Sequence, residues 1–158
     1  MRVGIGYDVH RFAPGRRLVL GGVTVPHPRG LAGHSDADAL THAVMDAVLG
    51  ACGLPDIGTL FPADDPRYEG ADSLQLLDEV LARARARGWR VAQVDCVLVA
   101  QEPRLGEFLA RMRETLAARM GLGVDAVGVK ATTPEGLGAL GRAEGVAALA
   151  VALVETVE

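Results

Sequence analysis

Three of the four histidines in this 158-residue chain stand near carboxylates at spacings that suit metal and anion chemistry. Asp8 and His10 are two apart in a strand-like run, so both side chains leave the same face. Asp38, His42 and Asp46 follow at i, i+4 and i+8, which stacks them along one line of a helix. Asp8, His10 and His42 together supply one carboxylate and two imidazoles, a set that suits four-coordinate zinc with one position open. Structural zinc sites tend to be closed by four protein ligands, so three favour a catalytic role. His34 and Ser35 precede the helix, where free backbone N–H groups attract an anion. A hydrogen-bonded Asp–His pair at a strand edge, or the polar stripe of an exposed helix, is the plain structural alternative. The fourth histidine, His27, lies between two prolines and reads as a loop residue. A second constellation runs from Lys130 through Thr132, Thr133 and Glu135 to Gly141-Arg142-Ala143-Glu144-Gly145. Its hydroxyls and amides can hold phosphate oxygens and Glu135 can ligate Mg²⁺, although glycine-rich turns bearing Thr are common.

These groups need elements to hold them. Ala39, Leu40, Ala43, Val44, Ala47 and Val48 recur at three- and four-residue spacing, which predicts an amphipathic helix with one buried face. Ser35 or Asp36 is its expected cap, and Asp38 and Asp46 are candidates to orient the His42 ring through its second nitrogen, with contact of one of them to a substrate as the alternative. Arg2–His10 reads as a strand, and Arg17–Leu20 with Val23–Val25 across Gly21-Gly22 as a tight hairpin. Pro26–Gly33 reads as a loop, and Pro55–Pro66 as a long irregular segment of the functional kind. A helix capped by Asp72 or Ser73 runs to about Arg87, with Gly88 as its stop; a strand over Trp89–Ala100 follows, and Pro103 precedes another helix ending near Met120-Gly121. Val127–Thr132 is a short strand and Thr133–Gly145 a connection too rich in glycine for a stable helix. Gly145–Val157 is uniformly apolar, and its valines favour a buried strand.

Hydrophobic residues make up 49% of the chain but are dispersed, with no run near the ~18–20 residues that span a membrane. The first residues enter a strand pattern directly, so no signal peptide and a cytoplasmic location are expected. Cys52 and Cys96 alone give no disulfide framework. A net charge of −4 argues against a nucleic-acid partner. Lys130 is the only lysine among 16 basic residues, a bias that a GC-rich genome or adaptation to heat would each produce.

Five motifs, in order and across nearly the whole length, carry a resemblance. They are Gly-Tyr-Asp-Val-His at 6–10, His-Ser-Asp-Ala-Asp at 34–38 with His42, and Asp-Ile-Gly at 56–58 before Phe-Pro-Ala-Asp-Asp-Pro at 61–66. Lys-Ala-Thr-Thr-x-Glu at 130–135 and Gly-Arg-Ala-Glu-Gly at 141–145 complete them. The chain resembles the 2-C-methyl-D-erythritol 2,4-cyclodiphosphate synthase family of the non-mevalonate isoprenoid pathway. The resemblance implies one α/β (α+β) catalytic domain over 1–158, a mixed sheet with helices on one side. It also implies a homotrimer with the sheets facing the three-fold axis and active sites between subunits.

By the same resemblance Asp8, His10 and His42 are zinc ligands, one ion per subunit, and Glu135 holds a second divalent ion, Mg²⁺ or Mn²⁺. His34 and Ser35 meet the substrate's free phosphate, and Asp56, Ile57 and Gly58 its sugar portions. Phe61, Pro62, Ala63, Asp64 and Asp65 form a flap. Ala100, Gln101, Glu102, Pro103, Arg104, Leu105 and Gly106, with Ala131, Thr132 and Thr133, form a cytidine pocket. His34 and Thr133 steady the transition state, and Val9 and Pro134 join the substrate contacts. The implied reaction is attack of the 2-phosphate of 4-diphosphocytidyl-2-C-methyl-D-erythritol 2-phosphate on its own β-phosphate, with release of CMP. The nucleophile is already an anion, so charge neutralisation and positioning are what the protein must supply.

Two positions depart from the family pattern, Pro134 in place of Thr or Asn and Ala139 where an aromatic is common. Tyr7 and Val9 face away from Asp8 and His10, towards the implied trimer axis, with Arg142 and Glu144 nearby. A prenyl diphosphate on that axis, its head on Arg142 and its tail along Tyr7, Val9 and Ala139, is one expectation; internal salt bridges sealing the trimer are the other. The rival functions are a zinc hydrolase of phosphate esters and a trimeric binding protein without catalysis.

Overall fold

The computed structural model of the chain describes residues 1–157. Its strands are β1 (Arg2–Pro14), β2 (Leu18–Leu20), β3 (Val23–Val25), β4 (Arg29–Leu31), β5 (Trp89–Val99), β6 (Val127–Thr132) and β7 (Gly145–Thr156). The helices are α1 (Ala39–Cys52), α2 (Ile57–Leu60), α3 (Ser73–Ala86), α4 (Leu109–Met120) and α5 (Gly138–Gly141). Five strands form one mixed sheet in the order β4-β1-β7-β5-β6, and β2 pairs with β3 as a separate hairpin. β5 and β6 are parallel; β7 is antiparallel to both β1 and β5. Helices cover one face of β7, yet Leu149, Val151 and Leu153 on its other face are apolar as well, which is why the sequence of β7 shows no clear period although its burial alternates.

Helices cover one face of this sheet, and α1 lies directly on β1 and β7. The approach is so close that a Cβ on Gly6 would stand 1.9 Å from the Ala43 carbonyl oxygen, and one on Gly4 2.0 Å from that of Ala47. The small residues alternating along β1 are therefore the seat of the helix. Ala148, Ala150 and Ala152 of β7 are fully buried beside them. The opposite face leaves an apolar row in solvent, with Val3 67%, Ile5 70%, Tyr7 56% and Val9 47% exposed.

α1 departs from the expected one-sided pattern. It is buried almost all round, including His42, because the sheet lies on one flank and α3, α2 and the β2–β3 hairpin on others. Its cap is Asp38, not Ser35 or Asp36: the carboxylate accepts the Thr41 N–H at 3.0 Å. The same side chain accepts from Gly21 N and Gly22 N, each at 2.8 Å, and so ties the hairpin turn to the helix start. Burial pushes its carboxyl above the ordinary 3.8, against the pull of the bonds from Thr41 and Gly22.

Three segments read as irregular contain short elements. β4 forms within Pro26–Gly33 because Leu31 and Gly30 pair with Phe12 and Ala13 on an extended β1. α2 forms within Pro55–Pro66 because Asp56 caps a single turn, accepting Thr59 N–H at 2.8 Å. α5, one turn long, forms where a Cβ on Gly141 would collide with the Gly136 backbone at 2.1 Å; tight glycine packing replaces helix propensity there. No helix among the described residues is long and apolar enough to cross a membrane.

Candidate metal and anion site

Alternation along β1 sends Asp8 and His10 to the covered face, and the first turn of α1 brings His42 against them. Asp8 Oδ2 lies 2.8 Å from His10 Nε2 and 3.2 Å from His42 Nδ1, and the two nitrogens are 3.3 Å apart. The two contacts of Asp8 are close but not aligned as hydrogen bonds, so its Oδ2 is buried without a hydrogen-bond partner. His10 Nδ1 donates to the Ala32 carbonyl at 2.7 Å; a carbonyl only accepts, so Nε2 keeps its lone pair for the cluster. Four-coordinate bonds of ~2.0–2.1 Å place ligand atoms about 3.3 Å apart, close to the separations seen. An orphaned carboxylate oxygen facing imidazole nitrogens at this spacing fits a divalent ion.

The electrostatics agree. Burial pushes the Asp8 carboxyl up, but His10 and His42 beside it outweigh burial and hold it at about 2. Burial works to lower the His10 imidazole, yet the Asp8 carboxylate wins and raises it above 6.5. That pairing stabilises the metal-free fold fully below pH 6.5, and its contribution fades as pH rises through the raised His10 value. A metal ion must displace the His10 proton, so divalent-ion affinity is expected to rise with pH, up to about tenfold per unit, until the raised His10 value is passed. Calorimetry at pH 6.5 and 8 in buffers of differing ionisation enthalpy checks this. More protons should be released at the lower pH.

The other His42 nitrogen, Nε2, lies 2.9 Å from Ser73 Oγ and 3.2 Å from Ser35 Oγ. Neither Asp38 nor Asp46 touches the ring, contrary to expectation. Asp38 is spent on the cap and hairpin, and Asp46 accepts the Ile57 N–H at 2.9 Å, fastening α2 to α1. Ser73 gives no local signal of this role, because it sits 31 residues from its partner. Arg16 was also unmarked in the sequence; its guanidinium donates to the carbonyls of Gly33 at 3.0 Å and Ser35 at 2.5 Å, clamping the loop before α1.

The triad opens on a cleft of about 230 Å³ that also takes in His34, Ser35, Ile57, Gly58, Phe61 and Ala63. The His34 ring donates to the Asp65 carbonyl at 2.9 Å, which joins the anion loop to the flap segment. Asp65 turns its own carboxylate to Arg67. Asp56, Pro62, Asp64 and Asp65 do not line the cleft, and neither do residues 100–106, 131–135, Ala139 or Arg142.

Those remaining residues gather elsewhere. Gln101 Oε1 accepts Gly136 N–H at 3.0 Å and Thr133 Oγ1 accepts Glu135 N–H at 3.1 Å, so the β5 and β6 ends share one loop cluster. Glu135 holds a left-handed φ of 55°, an unusual conformation for a non-glycine residue. His27 is more than a loop residue: it stacks on Phe12 at 5.0 Å and approaches Glu102 at 3.4 Å. Val9, Ala139 and Glu144 line a second depression of about 550 Å³ that shares His10 with the cleft, and Arg142 pairs with Glu144 at 2.7 Å.

A mixed α+β sheet carrying an Asp–His–His cluster at the mouth of a largely apolar cleft defines a class of metal-capable enzymes. Residues 1–155 match the YgbB family, and the chain belongs to that family of cyclodiphosphate synthases. It is 56% identical over 154 residues to the 2-C-methyl-D-erythritol 2,4-cyclodiphosphate synthase of Moorella thermoacetica, which covers 98% of this chain and 94% of the relative. The structure of the bifunctional IspDF from Campylobacter jejuni matches with a TM-score of 0.95 and 39% identity, over 99% of this chain and 42% of that one. A 2C-methyl-D-erythritol-2,4-cyclodiphosphate synthase solved with CDP bound matches with a TM-score of 0.89 and 41% identity, over 98% of this chain and 100% of that one.

Proposed function

We propose that this chain is a 2-C-methyl-D-erythritol 2,4-cyclodiphosphate synthase acting on 4-diphosphocytidyl-2-C-methyl-D-erythritol 2-phosphate. The observation that carries the reading is the orphaned Asp8 oxygen among two imidazoles at the mouth of the cleft, in a chain whose relatives bear that name. Asp8, His10 and His42 hold zinc, one ion per subunit, and Glu135 holds a second divalent ion, Mg²⁺ or Mn²⁺. Bound there, the ions neutralise phosphate charge and polarise the phosphorus–oxygen bonds.

His34 and Ser35 receive the 2-phosphate at the loop before α1, and Asp56, Ile57 and Gly58 hold the sugar portion. Phe61, Pro62, Ala63, Asp64 and Asp65 close over it and thin the water around the reacting atoms. An oxygen of the 2-phosphate attacks the β-phosphorus; the bond from that phosphorus to the oxygen bridging to CMP breaks, and CMP leaves with the electron pair. Thr133 and His34 donate to the oxygens that gain charge. Preorganising one flexible substrate for ring closure is worth up to ~7–11 kcal/mol.

Residues 100–106 with 131–133 hold the cytidine of a substrate bound mainly by a neighbouring subunit, in a cytoplasmic homotrimer. Their place outside the triad's cleft and the exposed Val3–Val9 row support that assembly. On its axis, a prenyl diphosphate would set its head on Arg142 and its tail along Tyr7, Val9 and Ala139. Titration with geranyl diphosphate tests this, with loss of binding expected in Arg142→Ala.

Incubation with the diphosphocytidyl substrate and Mg²⁺, read by phosphorus NMR, tests the main reading. A cyclic diphosphate with CMP is expected, and His42→Ala should abolish it. A linear product would establish a hydrolase, and no turnover by zinc-loaded protein a binding role.

A further inference from the structure

We propose that Asp36 and Ser73 are a positioning pair that fixes which nitrogen of His42 carries the proton, and so keeps Nδ1 open as a metal ligand. The inference rests on the metal reading of the triad and concerns residues outside it. His10 and His42 solve the same problem by different means. The partner of His10 is a carbonyl, which can only accept, so its ring has one tautomer. The partners of His42 Nε2 are two hydroxyls, Ser73 at 2.9 Å and Ser35 at 3.2 Å. A hydroxyl donates or accepts as required, so by themselves the two serines leave the ring proton unassigned.

Asp36 removes the freedom. Its carboxylate only accepts: Oδ2 takes the Ser73 N–H at 3.1 Å, while Oδ1 takes the Asp38 N–H at 3.1 Å and the Ser73 hydroxyl proton. With its proton committed to Asp36, Ser73 Oγ offers only lone pairs to the ring. Donation from His42 Nε2 then satisfies the shorter contact, at 2.9 Å, and Ser35 Oγ, 3.2 Å away and already accepting the Ala37 N–H, turns its own proton aside; Nδ1 is left unprotonated and directed at Asp8 and His10. Ser73 is fully buried, so water does not compete for its hydroxyl. The left-handed turn at Ala37, φ 56°, lies between two acids with different duties: Asp36 faces Ser73 and Asp38 faces the hairpin. Partners of this kind behind a ligating histidine fix its orientation and raise its basicity.

Asp36→Asn tests the pair at nearly constant shape. In one orientation its amide group meets the Ser73 N–H, donor against donor. In the other it donates to Ser73 Oγ, frees the serine proton for His42 Nε2 and drives the ring proton onto Nδ1. Zinc affinity by chelator competition is expected to fall about 10–100-fold, as for other partners behind a metal ligand. In the metal-free protein, ring nitrogen NMR should show His42 protonated at Nε2 in the wild type and shifted towards Nδ1 in Asp36→Asn. Ser73→Ala should weaken zinc binding similarly, with the ring divided between tautomers.

Protonation at Nδ1 in the wild type overturns the proposal. So does a variant that loses thermal stability while ring tautomer and zinc affinity stay unchanged, since that leaves only a structural part at the start of α3. Wild-type protein with the expected ring but no zinc binding overturns the metal reading instead, so the two failures are distinguishable.

Discussion

Alanine in place of Gly6 is expected to lower the melting temperature by about 6–12 °C and to weaken metal binding sharply. A Cβ there would overlap the Ala43 carbonyl oxygen of α1 at 1.9 Å, and that atom is backbone in the middle of a buried helix. No rotamer change relieves the clash; the helix must lift from the sheet or β1 must bend. Overpacking of this kind costs ~3 kcal/mol at the upper end of its usual range, and each kcal/mol shifts a domain of this size by about 2–4 °C. The metal effect follows from geometry: Asp8 and His10 belong to β1 and His42 to α1, so separating the two elements separates the ligand atoms. Gly50→Ala provides the contrast. Gly50 lies in α1 with its nearest contact 4.0 Å away, so alanine there should be neutral or stabilise by up to ~1 kcal/mol through helix propensity. Scanning calorimetry and zinc titration of both variants check the argument. A Gly6→Ala protein that melts and binds zinc like the wild type would show that the helix can retreat without cost.

What the sequence disclosed divides along the range of the interactions. Asp8 and His10 were legible because strand alternation is a local rule, and His42 because the apolar residues around it keep helical spacing. The hairpin at Gly21-Gly22, the strand Val127–Thr132 and the cap at Asp72 were legible for the same reason. β4 was not, since three residues become a strand only when Phe12–Pro14 are there to pair with them. The assignment of Asp38 and Asp46 to the His42 ring failed because i, i+4 spacing gives a shared face but not a shared partner. Asp38 found the hairpin amides, Asp46 found Ile57, and the ring found Ser73. Motif order carried the family assignment, but burial around α1 is a tertiary fact that no local period contains.

Asp38→Asn is expected to cost ~3 kcal/mol, although it removes little more than a charge. The carboxylate accepts four hydrogen bonds: Gly21 N and Thr41 N reach Oδ1 at 2.8 and 3.0 Å, while Gly22 N and Thr41 Oγ1 reach Oδ2, each at 2.8 Å. An amide supplies one accepting oxygen. If that oxygen takes the Oδ1 place, the NH₂ group faces the Gly22 N–H; Thr41 can turn its hydroxyl, but the backbone amide cannot reverse. If the amide flips, two backbone donors are opposed instead of one. A buried donor left without an acceptor costs ~1–3 kcal/mol, and direct opposition of donors places this site near or above the upper end. The loss falls where the hairpin meets the first turn of α1, one helical turn before His42, so zinc affinity should decline along with stability. Asp38→Ala should be at least as destabilising, because three backbone N–H groups then lose their acceptor at once. Denaturant unfolding of the three proteins, with zinc titration of each, measures both effects. An Asp38→Asn protein as stable as the wild type would mean that the hairpin turn finds other acceptors and that the helix start does not depend on it.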